Sequence, residues 1–197
     1  VADCLRYDAL SATGYHRPTT EPIDDRLDSD FVSFNDAATQ SGFTLTVLSS
    51  LITGDYPSTH GVLRWNDLFP ENVSTYRDAA SGADLPPTEA IPGMNFISEE
   101  WNLTGAFDRV HSLSEKKSRR DCNQATADDI CDTARVRIDE EDTFNLLLWF
   151  FDLHDPWLSE TEFAGDNPKR DQYDTELRFL SNQLRRLFVE LEDRGLY

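Results

Sequence analysis

An α/β fold, with a mostly parallel sheet flanked by helices, is what the sequence predicts, and three observations carry the prediction. Residues 144–153, FNLLLWFFDL, form an unbroken apolar run, the pattern of a parallel strand covered on both faces. Residues 170–194 set Tyr173, Leu177, Leu180, Leu184, Leu187, Phe188 and Leu191 on one stripe with the 3.6-residue period of a helix lying on a sheet. Strand-like and helix-like segments alternate between the two ends, as units of a parallel sheet do.

Taken in order, Val1 to Asp3 reads as the end of a strand, followed by a polar loop through Gly14 and the Pro/Thr-rich HRPTTEPID. Residues 24–38 are expected to hold a short helix or strand. Thr44 or Thr46 begins a helix that Gly54 ends, as a glycine after the last turn commonly does. Residues 64–90, rich in Asn, Asp, Pro and Gly, read as loop. A helix is expected over TEAIPGMNFISEEWN (88–102), then a short strand over LTGAFDRV (103–110), and a polar, partly basic loop over 112–122. A further helix over 125–141 places Ile130, Ala134 and Ile138 four residues apart, and the last helix stops at Gly195. No repeat or linker divides the chain, so residues 1–197 are read as one domain. The opening strand end and the closing helix end lead us to expect that domain to be incomplete at both ends.

Composition narrows the function. The 197 residues are 39% apolar and 28% charged, a globular balance. Eighteen basic residues (15 Arg, three Lys) stand against 37 acidic ones, a net charge of −19. Charge of that sign argues against nucleic-acid binding, which depends on neutralising phosphates. With so little lysine it suits a chain working in high salt, where repulsion is screened within a few ångströms, and the cytoplasm of a salt-adapted organism is the favoured setting. No apolar stretch approaches the roughly 18–20 residues of a membrane-spanning helix. Cys4, Cys122 and Cys131 are odd in number and widely spaced, which argues against a disulfide framework or zinc knuckle and for free thiols.

In open α/β sheets ligands bind beyond the carboxyl ends of the strands, and three features fall there. Asp3 follows the first strand and offers a hard oxygen to a cation; its plainer role is to accept backbone N–H bonds. His154, in DLHDPW after the strongest strand, suits a substrate oxygen, a metal or a leaving-group proton; its plainer role is a turn residue held by Asp152 or Asp155. Thr44, at the start of its helix, is an N-cap by type. A hydroxyl there also faces the positive end of the helix dipole, and a cation that lowers its pKa makes it a nucleophile. Thr46 is the alternative hydroxyl.

The segments VADCLRYDAL, TLTVLSSLITGDYPSTHGV, FFDLHDPW and QYDTELRFLSNQLRRLFVELEDRGLY stand in the order and context seen in sulfatases. Over nearly its whole length the chain resembles the N-terminal part of the catalytic domain of the sulfatase family, within the alkaline phosphatase superfamily, with the acidic character of haloarchaeal proteins. SLITGDYPSTHGV is similar to the family's Ser-Leu-Leu-Thr-Gly-x-Tyr-Pro-x-x-His-Gly signature.

The resemblance implies a metal-dependent ester hydrolase acting on a small-molecule or glycan sulfate or phosphate ester. Asp3 falls on the first metal-binding aspartate, Thr44 on the nucleophile, itself a metal contact, and His154 on the histidine that meets substrate oxygens. The cation is divalent: Ca, Mg, Mn or Zn. Asp-His ligands are expected past Tyr197, so residues 1–197 alone are expected to be nearly inactive.

Three departures matter. Thr44-Leu45-Thr46-Val47-Leu48 lacks the proline and arginine of the Cys/Ser-x-Pro-x-Arg motif that is converted to formylglycine. Cys4 takes the place of a frequent second metal aspartate. Leu48 stands where a basic or polar residue is commoner. An unmodified threonine instead resembles the phosphodiesterase and phosphoglycerol-transferase branches, and the apolar Val47 and Leu48 leave open a catalytically dead acidic binding module.

Overall fold

The computed structural model describes residues 1–34, 36–83, 85–113, 124–141, 143–157 and 161–197. The expected loop over 112–122, with Cys122, lies largely outside them. Three parallel strands, β1 (Thr88–Pro92), β2 (Arg109–Val110) and β3 (Asn145–Trp149), lie in the order β2-β1-β3. The opening residues extend the sheet beyond β3: Ala2 bridges Phe150 in parallel, Phe150 N–H donates to the Val1 carbonyl at 2.8 Å, and Asp3 N–H donates to the Phe150 carbonyl at 2.9 Å. This is the parallel α/β arrangement that the apolar 144–153 run predicts.

The run is apolar throughout because both faces are covered. Strand side chains alternate between faces. Leu146, Leu148 and Phe150 pack into one apolar cluster with Ile91, Ile130, Ala134, Leu177 and Leu180. Leu147, Trp149 and Phe151 join the other, with Ala90, Leu45, Leu48 and Ile52. The first cluster sits under α5 (Ala127–Glu140) and α6 (Pro168–Asp193); α2 (Thr44–Thr53) covers the second. Burying a leucine such as Leu48, which exposes nothing, contributes about 2 kcal/mol by area removed from water. The remaining helices are α1 (Glu21–Ser29), packed on α6, the single-turn α3 (Pro57–His60), and α4 (Tyr76–Gly82).

Three expectations need correction. Residues 88–102 are not a helix: 88–92 are the central strand, and only one 3-10 turn (Glu99–Trp101) follows. All five β1 residues are buried, Glu89 among them, which breaks the apolar signature of a covered strand. Glu89 is tolerated because Arg137 Nε donates to it at 3.0 Å, Arg109 Nη1 at 3.0 Å, and His111 Nε2 lies 2.6 Å away. The 64–90 segment, expected as loop, contains α4, which Thr75 and Asp78 start with a reciprocal capping box. The short strand expected over 103–110 is only two residues long, preceded by a 3-10 turn.

Candidate active site

Asp3 ends the edge bridge, and the chain then turns through Cys4, a non-glycine residue at φ 58°. Across from it begins α2. Thr44 is the first helical residue rather than the cap, which corrects the sequence expectation. Phe43 is the N-cap and has no capping side chain. With the cap apolar, Phe43 supplies no side-chain acceptor to the first-turn N–H groups of this ten-residue helix, whose positive end favours an anion. The Thr44 hydroxyl donates to Asp3 Oδ2 at 3.2 Å, a contact between residues 41 apart. At the other end Gly54, at φ 74°, takes the left-handed conformation that closes a helix.

His154 follows β3 on the loop after Phe151, and its ring lies 5.7 Å from the Phe151 ring. Nδ1 is 2.7 Å from the Asp155 carbonyl oxygen, which can only accept, so Nδ1 carries a proton. The Nε2 atom therefore donates to an oxygen only in the doubly protonated form. The loop is anchored by Asp152, buried, whose Oδ1 accepts from Ala127 N–H at the first residue of α5. That carboxylate does for α5 what its N-cap Thr126 does not, since Thr126 has no capping bond.

These positions share an electrostatic environment. Burial pushes the Asp3 carboxyl above its ordinary pKa, against opposing pulls from the Thr44 hydroxyl, the His154 charge and the Cys4 N–H. Burial, with the charges of Asp3 and Asp155, raises the Cys4 thiol to about 11, so it stays protonated near neutrality. Among the described residues no Lys or Arg pairs with Asp3. A desolvated carboxylate beside a hydroxyl is a hard-oxygen pair of the kind Mg, Mn or Ca takes, and it fits part of a cation's shell. Among the described residues no group of three or more His, Cys, Asp or Glu side chains could hold a metal. The other expected positions lie in the core: Leu48 is fully buried in the second apolar cluster, and the Thr46 side chain, also buried, has no hydrogen-bond partner among the described residues. Thr46 is thus withdrawn from the edge where Thr44 meets Asp3.

A hydroxyl–imidazole pair, which sequence reasoning left aside, sits where α2 meets α3. Ser50 Oγ is 2.9 Å from His60 Nε2, and both are buried. Val62 N–H donates to His60 Nδ1 at 3.2 Å, so Nε2 carries the proton and donates to Ser50. An imidazole that donates cannot take the serine's proton, and burial lowers the His60 pKa further against the charge of Asp55, keeping it neutral. The pair ties the STHGV turn to α2. Ser50→Ala, which loses one bond, should lower stability by about 1 kcal/mol, and His60→Ala, which loses two, by about 2 kcal/mol. Urea melts check both.

With the geometry in place, the solved structures that match are members of one fold. A protein in the alkaline phosphatase superfamily from Vibrio parahaemolyticus superposes with a TM-score of 0.72 at 15% identity, over 98% of this chain and 49% of that one. The soluble domain of lipooligosaccharide phosphoethanolamine transferase A from Neisseria meningitidis gives 0.74 at 14%, over 98% and 61%. A 2-O GAG sulfatase gives 0.64 at 15%, over 100% and 53%. The chain has an alkaline-phosphatase-like fold, and it spans about half the length of the first solved structures it matches. No protein-family model and no curated protein matches by sequence. Among the described residues no helix is long and apolar enough to cross a membrane.

Proposed function

We propose that the chain carries part of the active site of a metal-dependent hydrolase or transferase of phosphate or sulfate esters. The observation that supports it is the Thr44–Asp3 hydrogen bond at the N-terminus of α2. Asp3 and Thr44 would hold one side of a divalent cation, which when bound supplies positive charge that eases deprotonation of the hydroxyl. Thr44 Oγ attacks phosphorus or sulfur in line with the departing ester oxygen. The first-turn N–H groups of α2 face the non-bridging oxygens. His154, protonated on both nitrogens, steadies one of those oxygens or gives its Nε2 proton to the leaving group.

Phosphoryl transfer is the better fit within this class. The residue is a plain threonine, and none of the motif for formylglycine surrounds it. A threonyl phosphate can be passed to water or an acceptor alcohol, whereas a threonyl sulfate has no easy route to release. The choice rests on that chemistry, since likeness to solved structures at such low identity concerns the fold. Small-molecule or glycan esters are the proposed substrates, and the net charge of −19 suits a working medium of high salt.

The full chain, meaning residues 1–197 together with the ligand-bearing segment expected past Tyr197, when assayed in high salt on bis(p-nitrophenyl) phosphate and p-nitrophenyl sulfate with Mg or Mn, should turn over the phosphodiester and stop when EDTA is added. Turnover of the sulfate ester alone would overturn the phosphoryl assignment. Absence of turnover on both, with no divalent binding, would make the chain the acidic binding module.

A further inference from the structure

α6 reaches the turn just past Asp3 through Tyr173, which no step above uses. Its side chain is buried, and its hydroxyl makes two bonds to the backbone just past Asp3. It donates to the Cys4 carbonyl at 2.9 Å and accepts from Arg6 N–H at 2.9 Å. These two bonds bracket the turn that Cys4 makes at φ 58°, a conformation that a side-chain-bearing residue adopts at a cost and keeps only where its surroundings hold it. The ring of Tyr173 meets the Trp157 indole edge-on, with centroids 6.1 Å apart at 89°. The Trp157 indole N–H in turn donates to the Leu153 carbonyl at 3.0 Å, one residue before His154.

We propose that Tyr173 is the positioning residue of the site: through its hydroxyl it fixes the backbone that carries Asp3, and through Trp157 it ties that backbone to the loop carrying His154. Asp3 and His154 stand on separate strand ends 151 residues apart, and β-sheet pairing fixes only the strands themselves. Beyond the last ladder bond the two loops need a common support, and one phenol supplies it. Burial raises its pKa to about 12, so it remains a neutral hydroxyl able to donate and accept together. The Arg170 guanidinium, 5.6 Å above its ring, closes the free face.

The inference rests on the ester-hydrolase reading, and Mn binding to the full chain, read by electron paramagnetic resonance of the free ion, separates the two. Asp3→Asn should abolish the site. Tyr173→Phe keeps the ring and loses both hydroxyl bonds, and it should weaken Mn binding about tenfold, as loss of an outer support to a ligand does. Tyr15→Phe is the control: like Tyr173→Phe it removes two hydroxyl bonds, here both to α6, one donated to Asp174 at 2.7 Å and one accepted from Arg170 at 2.9 Å, without touching the Cys4 turn. It should leave Mn affinity unchanged even where it lowers the melting temperature as much. Should Tyr173→Phe fail to fold, Trp157→Phe, which loses the indole N–H bond to Leu153 and shrinks the ring that meets Tyr173, should weaken Mn binding in the same direction. Wild-type affinity in Tyr173→Phe, or equal weakening in Tyr15→Phe, would make Tyr173 a packing residue and overturn the inference while the reading survives. No Mn binding by the wild-type chain, or unchanged binding in Asp3→Asn, would overturn both.

Discussion

Thr44→Ala in the full chain is expected to lower ester turnover by roughly 10³-fold or more, the scale on which loss of an attacking group acts. Little else should change. Thr44 is the first residue of α2 and its side chain makes one bond, at 3.2 Å, to Asp3. Alanine is a good helix former, so the melting temperature should stay within a few degrees. Thr44→Ser keeps the hydroxyl and should recover most of the rate, whereas Thr44→Val keeps the shape and should not. A fall in rate of only a few fold for Thr44→Ala, measured at saturating substrate, would remove threonine as the nucleophile. Thr46 offers no substitute, because its side chain is buried without a partner.

Glu89→Ala is expected to cost about 3 kcal/mol of folding stability, far more than a surface carboxylate would. Glu89 sits in the central strand with its side chain 6% exposed, and its two oxygens accept from Arg137 Nε and Nη2, one edge of the guanidinium, with His111 and Arg109 alongside. Removing it leaves Arg137 partly buried beside Glu140 and Glu141 only, which is why the cost falls at the low end for a broken buried pair. Burial pushes the Glu89 carboxyl upward, but the bonds from Arg137 and His111 outweigh it and hold the carboxyl below the usual glutamate range. A depressed carboxylate stabilises the fold above its unfolded pKa, near 4.3, and that contribution disappears as pH falls toward the folded value. The gap between wild type and Glu89→Ala should therefore be full at pH 7 and shrink below about pH 4. A gap of the same size at both pH values, in denaturant titrations, would show that the charge network is not what Glu89 contributes.

The same residue explains where the sequence misleads. Covered strands announce themselves by uninterrupted apolar runs, and β3 does so. β1 carries a buried glutamate and ends on a proline, so its five residues resemble the polar start of a helix. Its neutralising partners, Arg109, His111 and Arg137, are 20, 22 and 48 residues away, and no local pattern reveals them. α5 and α6 are legible because each follows a 3.6-residue stripe, and α2 because a threonine opens it and Gly54 stops it; Gly54 and Gly195 both take the left-handed conformation.

The candidate site divides in a similar way. Asp3 and Thr44 are predicted to share the carboxyl edge of the sheet, and their side chains meet there. The capping role expected for Thr44 belongs instead to the backbone of Phe43, a shift of one residue that periodicity cannot resolve. Tyr173 reads in the sequence only as part of an apolar stripe. Its hydroxyl bonds to Cys4 and Arg6 cross more than 160 residues, and only the folded chain brings them together.

Acid-quenched turnover of a phosphodiester by the full chain, followed by peptide mapping in a mass spectrometer, tests the nucleophile most directly. A phosphoryl group carried on Thr44 is the expected result. Phosphoryl on Thr46, Ser50 or any other hydroxyl, or steady turnover with no protein-bound phosphoryl at all, would contradict it.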